Sequence, residues 1–60
     1  MFCRIVFLMR ESPEPIAARY ATGRDVAEIE EFAWREARRY GADGFRLRDL
    51  HTDEVHEVWD

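Results

Sequence analysis

The stretch from Asp25 to Gly41 constrains the fold most, because it carries a start signal, a stop signal and one apolar face for a helix. Asp25 can serve as N-cap, with Glu28 as its capping-box partner three residues on. A helix from about Val26 to Tyr40 follows, and Gly41 stands where a left-handed C′ residue ends it. At about 100° per residue, Val26, Ile29, Phe32, Ala33, Ala37 and Tyr40 share one broad arc. Glu28, Glu30 and Glu31 precede Arg35, Arg38 and Arg39, the order that suits the helix dipole, and Glu31 and Arg35 form an i,i+4 pair in the favourable direction.

An isolated amphipathic helix must bury its apolar arc against something, and the flanking segments read as strands. From Phe2 to Met9 one parity is wholly apolar (Cys3, Ile5, Phe7, Met9), and the other carries Phe2, Arg4, Val6 and Leu8, with Arg10 next in the series. The first set is expected under the helix. Glu11-Ser12-Pro13-Glu14-Pro15 reads as a connection, since prolines cannot continue a central strand. Ile16 to Thr22 reads as the return strand of a hairpin, with Tyr20 turned inward and Arg19 outward; the alternative, an irregular linker, gives β-α-β-β. Phe45 to His51 alternates again, Phe45 and Leu47 against Arg46, Arg48 and Leu50. Thr52-Asp53 then turns into a last strand, Glu54 to Trp59, in which Val55 and Trp59 share a parity. The expected fold is α+β, a small antiparallel sheet with one packed helix in the order β-β-α-β-β, as a single domain over residues 1–60 with the strand order open.

A domain of 60 residues is worth only about 3–9 kcal/mol, so association with a partner or a second copy, most simply a homodimer, is expected to help hold it. The single cysteine, Cys3, cannot form an internal disulfide, which suits a cytoplasmic protein. The apolar run Met1 to Met9 is interrupted by Arg4 and is too short to span a membrane, and nothing reads as a signal peptide.

All nine basic residues are arginine, against thirteen acids and a net charge of −4. Arginine without lysine suggests coding from a GC-rich genome, such as that of an actinobacterium or one of its phages. An acidic chain is a poor general binder of duplex DNA. The basic share is local, however: residues 1–24 carry a small positive excess and residues 41–60 the largest negative one.

With the core sets under the helix, the other sheet face is expected to carry Arg4, Arg10, Arg19, Arg46 and Arg48 interleaved with Val6, Leu8 and Leu50. Such a face is either a wet surface neutralised by cross-strand pairs with Glu54, Glu57 or Asp49, or an interface, where arginine is enriched. Ala27, Trp34 and Arg38 form a second candidate patch on the helix, although a tryptophan at the edge of the arc more often tucks against the sheet.

Catalysis has little support. Ser12 has no histidine near it in sequence, Cys3 faces inward, and no glycine-rich phosphate loop exists. The spacing of His51, Asp53 and His56 matches no closed metal site, so neither a metal nor a cofactor is expected. The acidic C-terminal segment reads as a protected strand edge. The sequence therefore points to a non-enzymatic protein–protein interaction module, of the kind a phage or mobile element could encode to modulate a host factor. The alternative is a single-stranded nucleic-acid module using the arginine face. Against that alternative, only Phe2 among the aromatics has the parity to meet a base.

Overall fold

The computed structural model describes residues 1–60 and has the β-β-α-β-β order. Strands β1 (Phe2–Met9), β2 (Ser12–Thr22), β3 (Gly44–Asp49) and β4 (Val55–Trp59) form one antiparallel sheet in the order β2-β1-β3-β4, with helix α1 (Val26–Tyr40) on one face. The linker alternative is set aside. The two central strands are those with the most apolar parity, as expected of strands that have neighbours on both edges.

Helix α1 begins and ends where its signals lie. The Asp25 carboxylate accepts the Glu28 N–H at 3.0 Å, and Gly41 adopts φ 70°. The Glu28 side chain, though, turns to Arg24 at 3.0 Å instead of closing the capping box. Glu31 and Arg35 approach to 3.6 Å. Ile29, Ala33 and Ala37 are buried against Cys3, Ile5, Phe7, Phe45 and Leu47, with Phe32 at the margin; Val26 and Tyr40 lie further out and are exposed. The alanines let the helix backbone approach the sheet.

Strand β2 starts at Ser12, so Pro13 and Pro15 lie within it and the connection shrinks to Arg10 and Glu11. It is an edge strand, where a missing N–H is tolerated. Strand β3 ends at Asp49, which removes Leu50 and His51 to the following turn. That turn is held by the Asp49 carboxylate, which accepts the His51 N–H at 2.8 Å, and Asp53 takes φ 64° within it. Asp49 is held below the usual carboxylate range chiefly by this backbone hydrogen bond.

Register corrects the faces of β2 and fixes those of β4. Ala17, Arg19 and Ala21 pair with Phe7, Ile5 and Cys3, and so share the helix side; Ala18 and Tyr20 pair with Val6 and Arg4 on the open side. Arg19, expected on the open face, instead pairs with Glu36 of α1 at 2.5 Å, and its guanidinium lies 5.9 Å from the Phe32 ring. Glu36 is the one acid buried in the domain, and it compensates the inward arginine. Hydrogen bonding to Tyr40, and then the Glu36 charge, raise the pKa of Arg19. Tyr20, expected inward, is 61% exposed on the open face. On β4, Val58 packs towards the core while Val55 and Trp59 stand on the open side with Glu57.

Candidate functional site

The face opposite the helix is built from paired rows. One row runs Tyr20, Arg4, Arg48, Val55 across β2, β1, β3 and β4; the next runs Ala18, Val6, Arg46, Glu57. Beyond them, Leu8 pairs with Gly44 and Gly44 with Trp59. Of the expected face residues, Arg4, Val6, Leu8, Arg46 and Arg48 are brought together here. Arg19 lies on the other side, Arg10 in the β1–β2 turn and Leu50 in the turn after β3.

Gly44 is the reason this corner closes. A Cβ there would meet the Val58 carbonyl oxygen at 2.5 Å and the Trp59 indole at 2.7 Å, so only glycine lets the ring lie across the strand. The indole N–H donates to Glu57 at 3.0 Å, and the Arg10 guanidinium sits 5.9 Å from the ring centroid. Arg10 is tied down further: its side chain donates to the Asp60 carbonyl and its backbone N–H donates to Asp43 at 2.9 Å. Val6 and Leu8 are each only 7% exposed although no helix covers them. Of the aliphatic residues expected there, Val6 and Leu8 are thus already covered by the protein itself, whereas Leu50 is exposed in its turn.

What remains open is mainly cationic and aromatic, with Val55 and Glu57 on β4 beside it. Arg46 donates twice to one Glu57 oxygen, at 2.9 and 2.7 Å, and Arg48 lies 3.3 Å from Asp53. The Arg46 and Trp59 hydrogen bonds hold the Glu57 carboxyl below its usual range. Arg4 has no ion pair and no side-chain hydrogen bond. Arg4, Arg46 and Arg48, with Val6 and Val55, line a small depression of about 150 Å³. Beside it, Phe2 and Tyr20 stack with ring centroids 5.8 Å apart and planes at 20°. Both rings are exposed.

The helix-side patch is less available. Trp34 meets Phe45 edge-on, at 4.8 Å and 77°, tucking the indole against the core, while Ala27 and Arg38 are exposed. Cys3 is fully buried, and burial raises its thiol pKa, so it is held as a thiol. His56 lies 3.7 Å from Glu30 on the helix side, and no three His, Cys, Asp or Glu side chains converge as metal ligands would. No helix is long and apolar enough to cross a membrane.

Comparison of the chain with family models, curated proteins and solved structures finds no match. Sequence parity located the arginines of the open face; it missed Tyr20 and Trp59, whose side depends on the register of edge strands. The only available signal for Tyr20 was its alternation with Arg19, which leaves the choice between the two open until the helix supplies Glu36 as a partner.

Proposed function

We propose that this chain is a non-enzymatic binding module whose open sheet face takes single-stranded nucleic acid. The observation that carries this reading is the exposed Phe2–Tyr20 stack beside an arginine, Arg4, that has no partner of its own. Bases stack on exposed aromatic rings, and guanidinium groups receive the phosphates between them. Arg46 and Arg48 extend the cationic track across β3. In the two paired rows Glu57 is the single acid, whereas most of the carboxylates responsible for the net charge of −4 lie on the helix and in the turns.

Fluorescence anisotropy with a labelled mixed-sequence single strand tests this. Three phosphate contacts give a slope of log K against log salt of about −2, and Arg4→Ala reduces its magnitude by about 0.7. Tyr20→Ala weakens binding by about 1–3 kcal/mol. Absence of binding at low salt, or binding indifferent to both substitutions, overturns the reading.

A protein partner is the second reading, the phage- or mobile-element-encoded modulator of a host factor. It is favoured by the partial neutralisation of Arg46 and Arg48 and by exposed Val55 and Trp59 on the same face. A carboxylate from an acidic protein segment would then occupy the position assigned to phosphate.

A further inference from the structure

We infer that the outer edge of β2 is a self-association surface, and that its occupant is β2 of a second copy of this chain, paired antiparallel about a two-fold axis at Ala18. Gly23 N–H donates to the Met1 carbonyl at 2.9 Å, and the Met1 amino group donates to the Gly23 carbonyl at 2.8 Å. In an antiparallel ladder, residues that exchange hydrogen bonds recur every second position. Ala21, Arg19 and Ala17 therefore spend their backbone groups on β1, while Thr22, Tyr20 and Ala18 point theirs away from it. The other side of β1 agrees: Leu50 N–H donates to the Phe2 carbonyl at 3.0 Å, so even-numbered residues of β1 serve β3. Ala18, Tyr20 and Thr22 thus present N–H and C=O groups to the open edge of the sheet.

From Ile16 to Thr22 that edge lacks the features that normally discourage strand addition. Pro13 and Pro15 protect its beginning, but from Ile16 to Thr22 the sole charged residue is Arg19, which is engaged with Glu36. Ile16 and Tyr20 are exposed. Helix α1 does not block the approach, since a groove of about 550 Å³, lined in part by Tyr20, Ala21, Ile29 and Phe32, separates the helix from the end of the strand. The opposite edge differs. Strand β4 is short, carries His56 and Glu57, and is flanked by Glu54 and Asp60. Pairing through β2 consequently stops at two copies.

The second copy fits because the segment is self-complementary in one register. With the axis at Ala18, each Ala18 exchanges both hydrogen bonds with its symmetry mate. Ile16 then faces Tyr20 of the other chain on the open side, an aliphatic–aromatic cross-strand pair. Arg19 faces Ala17 of the other chain; moving the axis to Arg19 would oppose two like charges. The product is a continuous eight-stranded sheet with both helices on one side and both open faces on the other.

Sedimentation velocity over micromolar to high micromolar concentrations, with hydrogen exchange on the same samples, tests this. The wild-type chain should sediment as a dimer. Ala18→Pro, which removes an N–H that has no partner within the chain, should give a folded monomer by far-UV circular dichroism. Ala18 and Tyr20 amides should be protected in the dimer and lose that protection by about tenfold or more on dilution. A monomer at every concentration, or a dimer that survives Ala18→Pro, overturns the inference. If Ala18→Pro does not fold, the wild-type amides decide: free exchange at Ala18 and Tyr20 in concentrated protein contradicts the pairing. Oligonucleotide binding is read separately and does not enter this outcome.

Discussion

Arg4 and Arg48 stand directly opposite each other in the β1–β3 ladder, two like charges as cross-strand neighbours. Such a pair is unfavourable by itself, and Arg48 has an exposed aspartate nearby whereas Arg4 has none. Replacing Arg4 by threonine should therefore raise stability by about 0.2–1 kcal/mol in urea unfolding while it weakens binding of an anionic strand. A loss of stability would mean that the Arg4 stem packs more than its charge repels.

The Arg19–Glu36 pair has unequal partners, because the Glu36 side chain is 7% exposed and that of Arg19 44%. Arg19→Ala leaves a buried carboxylate with Arg39 at 3.5 Å as its remaining partner, and should cost roughly 1–3 kcal/mol. Glu36→Ala leaves an arginine that can turn into water, and should cost less. Chemical denaturation of the two variants measures the order, and a larger loss for Glu36→Ala would contradict it.

Gly44→Ala places a methyl group against the Val58 carbonyl and the Trp59 ring. The backbone oxygen cannot swing aside as a side chain could, so a loss of about 1–3 kcal/mol is expected, with a shift in Trp59 emission as the indole is displaced. Unchanged melting would show that β4 adjusts freely.

Acid should act partly through Glu57. Its folded pKa is depressed by Arg46 and Trp59, so its contribution is present above its ordinary value of 4.5 and fades as pH falls through the lower folded value. Glu57→Gln should flatten the decline of stability below that pH, as measured by urea unfolding at a series of acidic pH values. An identical decline in the variant would assign the acid sensitivity elsewhere, with Asp49, depressed by its backbone hydrogen bonds, the next candidate.

The helix and the two central strands were legible in the sequence because their signals are local: Asp25 and Gly41 fix the helix ends, and the parity of Cys3, Ile5 and Phe7 fixes the buried side of β1. The edge strands were not. Arg19 and Tyr20 alternate in β2 with no local reason for either to face the helix, and a residue on α1, Glu36, decides between them. The exposed Phe2–Tyr20 stack depends on the same choice, so the arginines of the candidate site and Phe2 could be read in advance and Tyr20 could not. A homodimer is expected from size alone; the β2 edge proposed for it follows from the hydrogen-bonding direction of that strand and involves neither Leu8, which is buried, nor Trp34, which leans on Phe45.

The most direct measurement is nuclear magnetic resonance of the arginine Nε–H groups and the aromatic rings during titration with a short single strand. The Arg4, Arg46 and Arg48 signals should shift together with the Phe2 and Tyr20 rings, while Arg19, Phe32 and Trp34, on the helix side, stay in place. Shifts confined to the Trp34 and Arg38 side, or no shifts at low salt, would contradict the open face as the binding surface.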